Sequence, residues 1–274
     1  MPGRIAAIAL ALLISIPARA ADVLPIFDAH LHYSHDAWDV VPTLEAIAIL
    51  RRAGLKRAMV SSSSDDGTQK LYAAAPDLVL PSLRPYRSRG EIGTWMRDDS
   101  VVGHVEARLK QYRYVAIGEF HIYGADADLP VMRRLVELAK QYGLFLHAHS
   151  DADAVDRLFV QDPQARVLWA HAGFASPGIV SGMLRKHRNL WADLAFRNDH
   201  APGGKLDESW RAVFLEFPDR FMVGTDTFTP ERWHYVGPHA DFSRAWLASL
   251  PKEIAERIAW RNGETLFSRM MNGR

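Results

Sequence analysis

The sequence predicts a single-domain α/β protein, a (β/α)8 (TIM) barrel, following an N-terminal leader. Three observations predict it. Short apolar strands alternate with amphipathic stretches of helical period along the chain. The strands read as near-continuous apolar runs, the pattern of a parallel sheet covered on its faces. Eight such units fit the roughly 250 residues a closed barrel commonly takes. The predicted boundaries are residues 1–20 for the leader and 21–274 for the barrel.

The leader, "MPGRIAAIALALLISIPARA", has one early Arg, an apolar stretch from Ile5 to about Pro17 and a small-residue "ARA" ending. This is the pattern of a cleavable secretory signal, with the cut expected after Ala20 and a periplasmic or extracellular product. A membrane anchor is the rival reading, but about 18 uncharged apolar residues are needed to span a bilayer and this run is shorter. No Cys is present for lipid attachment.

The strand candidates follow in order: 24–30 "LPIFDAH", 56–62 "KRAMVSS", 78–83 "LVLPSL", 114–120 "YVAIGEF", 144–149 "LFLHAH", 166–171 "RVLWAH", 190–196 "LWADLAF" and 220–226 "RFMVGTD". Between them lie helical segments such as "PTLEAIAILRRAG", "LPVMRRLVELAKQYG" and "DESWRAVFLEFP", several closed by Gly or Pro as helix ends should be. The third unit is the least regular, because residues 84–100, "RPYRSRGEIGTWMRDDS", form a long polar insertion before the helix "VVGHVEARLKQY". Loops at that end of a barrel often cover the site. The "SSSS" at 61–64 reads as the loop after the second strand, with Asp65 or Asp66 near a helix start, and the run "DADAVD" at 151–156 complements a helix N-terminus.

Composition narrows the chemistry. A net charge of +1 provides no field for nucleic acid or an anionic membrane, so neither partner is implied. Zero Cys excludes disulfides and thiolate metal sites, so any metal must be held by the twelve His and by carboxylates. No GxSxG, P-loop or GxGxxG motif appears. Oligomeric state is left open.

Placed on the strands, the polar residues form one constellation. His30 and His32 end the first strand, Glu119 the fourth, His147 and His149 the fifth, His171 the sixth and Asp226 the eighth. Parallel barrel strands deliver their C-terminal ends to one rim, so residues nearly two hundred positions apart converge there. The His30-x-His32 spacing puts both imidazoles on one strand face. A lone strand-end His is more often a hydrogen-bonded structural residue, and a lone carboxylate there an N-cap. Neither reading explains why five of the eight strands end this way. Polar groups buried together are costly unless paired or bound to a cation.

"FDAHLH", "AIGEFH", "LFLHAH", "VLWAHAGF" and "FMVGTD", in this order, resemble the amidohydrolase superfamily, in particular its amidohydrolase-2 and TatD-like branches, as does the closing "IAWRNGETLFS". The resemblance covers essentially the whole chain after the leader. It implies that His30, His32 and Asp226 ligate the more buried metal, that Asp226 also accepts a proton, and that Glu119 stands where two-metal relatives use a bridging Glu or carboxylated Lys. His171 is then the sixth-strand ligand and His147 the preferred fifth-strand ligand, with His149 the alternative, since "HAH" offers two His where one is usual. "GEFHIYG" departs from the TatD wording after its Glu, which leaves His121 and Tyr123 as pocket candidates.

An ion held by His and carboxylate with one open position lowers the pKa of bound water to about 7 and yields hydroxide to attack a carbonyl or phosphoryl centre. Asp226 would pass a proton to the leaving group. Zinc suits the ligands best, and Glu119 tilts the reading to two ions. Arg84 and Arg87 after the third strand are candidates to grip a carboxylate or phosphate, or form a solvated loop. Trp95 is a candidate to close over the pocket, or to anchor its loop. Arg197, Asn198 and His200 after the seventh strand have the same standing. The expected function is an exported metal-dependent hydrolase of a small amide, ester, lactone or phosphoester. The alternatives are a one-metal non-oxidative decarboxylase, which a bridging Glu119 speaks against, and a silent periplasmic metal or ligand carrier, which would be expected to have lost Asp226 or part of the HxH pair.

Overall fold

Eight parallel strands in sequence order form the sheet of a computed structural model, which describes residues 23–272. The expected leader, with its cut after Ala20, lies outside the described residues. The strands are β1 (Ile26–Leu31), β2 (Leu55–Val60), β3 (Val79–Leu83), β4 (Ala116–His121), β5 (Phe145–His149), β6 (Arg166–Trp169), β7 (Leu190–Asp193) and β8 (Phe221–Met222). β8 is short, but the chain after it closes the barrel: the Ala29 N–H donates to the Val223 carbonyl at 2.9 Å and the Asp226 N–H to the His30 carbonyl at 2.7 Å. The result is the (β/α)8 barrel.

Helices α1 (Thr43–Arg52), α2 (Asp66–Ala74), α3 (Ser100–Gln111), α4 (Pro130–Tyr142), α5 (Ala152–Gln161), α6 (Pro177–Lys186), α7 (Glu208–Glu216) and α8 (Val236–Leu247) connect the strands and cover them. Their limits follow local chemistry. Gly143 ends α4 at φ 64°, a left-handed conformation that costs glycine little, and Asp151 caps α5 by accepting the Ala154 N–H at 2.8 Å. Asp65 stands at the N-cap of α2 and Asp66 opens it, but the Asp65 carboxylate makes no capping bond; it is buried and takes hydrogen bonds from Arg108 and Tyr114. Among the described residues no helix is long and apolar enough to cross a membrane.

The apolar residues divide into two layers. One fills the space between sheet and helices. The other, with Phe27, Met59, Leu80, Val115, Phe145, Leu168 and Met222, fills the lower barrel and is plugged from the C-terminal segment by Phe267, whose ring lies 4.6 Å from that of Phe145. A filled interior leaves only the rim for chemistry.

Two irregularities set what reaches that rim. Between Asp28 and Leu31 β1 carries one residue more than the facing Ala58–Val60 of β2, and β4 gains one at Glu119 against β5. Such bulges reset side-chain alternation. Phe27 thus packs in the floor while His30 and His32 turn to the site.

Candidate metal centre

Three imidazoles arrive with one nitrogen already committed. His32 Nδ1 lies 2.6 Å from the Ser61 carbonyl and His171 Nδ1 2.8 Å from the Ala195 carbonyl. A carbonyl only accepts, so each Nδ1 carries the proton and each Nε2 keeps its lone pair. His30 Nδ1 lies 3.2 Å from the buried Asp193 carboxylate, which orients it in the same way. The Nε2 atoms of His30 and His32 then face each other at 3.1 Å. Two lone pairs at that distance repel, and either a shared proton or a metal cation in its place reconciles them.

Carboxylates complete the ring. Glu119 Oε1 lies 2.8 Å from His149 Nδ1, 3.4 Å from His30 Nε2 and 3.5 Å from His171 Nε2, while its Oε2 lies 3.3 Å from His32 Nε2. Asp226 Oδ1 lies 3.2 Å from His32 Nε2 and 3.8 Å from His30 Nε2. Donor atoms of His30, His32 and Asp226, and of His30, Glu119 and His171, lie close enough together for each set to hold an ion. Both the atoms and their spacing fit a divalent metal.

Electrostatics agree. Burial raises the Glu119 carboxyl, but neighbouring His30 and Arg84 outweigh it and hold it well below its usual range. Burial likewise raises Asp226, but its contact with His32 and the charge of His30 bring it down to about 2. Burial lowers His30, yet Asp193 and Glu119 prevail and hold it well above its ordinary value. The negative potential that favours a proton on His30 favours a metal cation equally.

Strand five brings both of its His toward the centre, and the donor atom of the expected ligand His147 groups with those of His30 and Asp193. The His147 Nε2 is 2.9 Å from Asp193 Oδ2, beneath the ring of donors, and burial lowers it to about 4. His149 is the residue beside Glu119 and His171. Both rings can share a strand face, but alternate residues sit about 6–7 Å apart along it. Alternation gives the face, not the depth.

The pocket over this centre has a volume of about 250 Å³. Arg84 lines it but is buried and paired with Glu119 at 2.5 Å, so it braces that carboxylate. Arg87 is tied to Glu91, Asp98 and Ser100 within the long loop. Trp95 is fully buried, donates to the His121 carbonyl at 3.0 Å and packs on Tyr86 and Phe120, which makes it the anchor of the loop. Arg197 bonds the carbonyls of His171 and Ala175 and the carboxylate of Asp199, holding the β6 loop rather than facing the pocket. Buried His200 packs edge-on against Trp246. His121 does line the pocket, and Tyr123, half-exposed, stands edge-on to His149.

Sequence reasoning missed Asp193, fully buried at the end of β7. Its Oδ1 accepts the N–H groups of His171 and Ala195, each at 3.0 Å, while Oδ2 serves His30 and His147. Its one signal was a carboxylate inside the apolar "LWADLAF". Ser61 lies in the loop after β2, and there its carbonyl fixes His32 and its hydroxyl accepts the Glu119 N–H at 3.2 Å. Gly224 lies where an added Cβ would stand 2.9 Å from the Cβ atoms of His30 and Ala195, so the chain before Asp226 can pass only without a side chain.

The sequence model of the amidohydrolase family, Amidohydro_2, matches residues 27–269. No curated protein matches the chain. Solved structures similar to it include a putative 2-pyrone-4,6-dicarboxylic acid hydrolase from Pseudomonas putida, with TM-score 0.62 and 14% identity over 89% of this chain and 98% of that one. A TatD homolog from Escherichia coli K12 aligns with TM-score 0.59 and 18% identity over 89% and 98%. A beta-aspartyl dipeptidase from Fervidobacterium islandicum aligns with TM-score 0.55 and 15% identity over 89% and 72%. At these identities the likeness establishes the shared fold.

Proposed function

The chain belongs to the amidohydrolase family, and from that premise we propose that it is a hydrolase of a small amide, ester, lactone or phosphoester that works with divalent metal, zinc by the chemistry of its donors and two ions by the position of Glu119. One observation carries the reading: His30, His32 and His171 each commit Nδ1 outward and turn a lone pair toward Glu119 and Asp226. His30, His32 and Asp226 would hold one ion, and His149 and His171 the other, with Glu119 between them. Bound metal supplies Lewis acidity and a water acidic enough to deprotonate near neutral pH.

The protein's own groups do the rest. Asp226 is ionised at neutral pH and lines the pocket, so its carboxylate can take a proton from the attacking water and return it to the leaving group. Its backbone is held at φ 53°, an uncommon conformation for a residue other than glycine, by the Asp226 N–H bond to His30 and by Arg232 on the Thr225 carbonyl. Arg84 and Ser61 keep Glu119 in place.

The test is metal analysis of zinc-dialysed protein, with assays on p-nitrophenyl acetate, bis(p-nitrophenyl) phosphate and simple lactones. Asp226→Asn should retain metal and lose roughly 10²–10⁴-fold in turnover. Parental turnover in that variant contradicts the role of Asp226. The leader pattern supports export, and the N-terminus of the secreted protein is expected at Ala21.

A further inference from the structure

The pocket has two unlike walls. On the side of β6 to β8 stand Phe174, Phe196 and Phe228, each ring edge-on to the next at 6.5 and 5.5 Å, with Arg232 against the last two. Phe174 and Phe196 are 50% and 47% exposed, although large apolar side chains are ordinarily covered. Both are also held in the left-handed backbone region, at φ 50° and 55°. A bulky residue there is a true outlier, and such strain persists where the surroundings impose it, chiefly at ligand-binding positions. Exposure and strain thus coincide at the two rings that face the cavity.

The opposite wall presents His121. Tyr86 is fully buried, and its oxygen accepts the His121 backbone N–H, so its own hydroxyl proton needs an acceptor. The only other partner in reach among the described residues is His121 Nδ1, at 2.8 Å. Nδ1 therefore accepts, and the ring proton sits on Nε2. That Nε2–H has no protein partner among the described residues, on a ring that lines the pocket and stacks on His149 at 4.0 Å.

We propose that the pocket takes a small substrate with a planar apolar arm laid on Phe174 and Phe196 and a hydrogen-bond acceptor held by Nε2–H of His121. A flat arm suits the wall because aromatic rings attract one another through offset or edge-on contact, and the 250 Å³ cavity has room for such an arm beside the reacting group. The inference rests on the reading of the pocket as a hydrolase site and names the substrate class that site would select. Tyr86 is a positioning residue, acting through the tautomer of His121.

Titration calorimetry on zinc-reconstituted protein tests it with two probes of equal charge, phenylphosphonate and methylphosphonate. The phenyl compound should bind at least about tenfold tighter. Phe196→Asn removes the ring and places a residue that tolerates the left-handed region, so the preference should fall to about twofold or less while the unfolding temperature stays at or above the parent's. His121→Leu should weaken both probes about equally and keep their ratio. Equal affinity in the parent, a preference that survives Phe196→Asn, or unchanged binding by His121→Leu overturns the proposal. So does binding of neither probe by a protein that hydrolyses p-nitrophenyl acetate, an outcome that leaves the hydrolase reading standing. A phenyl preference without turnover of any ester, lactone or phosphodiester does the reverse.

Discussion

Asp193→Asn isolates the group that orients the metal ligands without touching the pocket. The amide oxygen can still accept the N–H groups of His171 and Ala195, but its NH2 now points at His30 Nδ1 and His147 Nε2, both of which donate to the aspartate. His147 can adapt by moving its proton to Nδ1, which is buried without a partner among the described residues. His30 can adapt only by moving its proton to Nε2, 3.1 Å from His32 Nε2, where the lone pair for the metal should be. Replacing such an outer partner typically costs 10–100-fold in metal affinity, which corresponds to roughly 1.4–2.8 kcal/mol. Losing two charge-assisted hydrogen bonds in a fully buried place should also destabilise the fold by about 2–4 kcal/mol, or roughly 5–15 °C in unfolding temperature. Competition for zinc against a chelator of known affinity, beside thermal unfolding, reads both effects. Parental zinc affinity in Asp193→Asn would refute the argument that lone-pair direction makes the site.

Strand five supplies a second comparison: His149→Ala should lower the zinc bound per chain with little loss of stability. His147→Ala, deep against Asp193, should instead cost about 2–4 kcal/mol in urea unfolding and leave zinc content near the parent's. A pH series tests two imidazoles remote from the centre, buried His200 and partly buried His239, each pulled down to about 4 by loss of solvent. Between about pH 6.5 and 4 the unfolded chain binds protons that the folded chain refuses, so stability is lost as pH falls through that window. Replacing His239 by Leu should reduce that loss by about 2 kcal/mol between pH 6.5 and 4.5, and an unchanged slope in urea titrations at pH 4.5, 5.5 and 6.5 would count against it.

The barrel was legible because each strand is apolar between turn signals, and the rim because His30, His32, Glu119, His149, His171 and Asp226 all stand at strand ends. What sequence could not provide was depth. His147 and His149 have equal claims by alternation, and the layer each occupies is set by the register of β4 and β5, including the extra residue at Glu119. Nor does spacing reveal tautomers: Asp193 and Ser61 matter through hydrogen bonds to residues far away in the chain. The loop arginines were ambiguous for a similar reason, since Arg84 and Arg87 are three residues apart and only the fold places one on Glu119 and the other on Glu91 and Asp98.

Anomalous diffraction at the zinc edge, from crystals of the zinc-dialysed protein, bears most directly on the centre itself. Peaks are expected among His30, His32 and Asp226 and among Glu119, His149 and His171, with His147 outside both. A map with no peak within bonding distance of His30 and His32 Nε2, from protein saturated with zinc, would contradict the account.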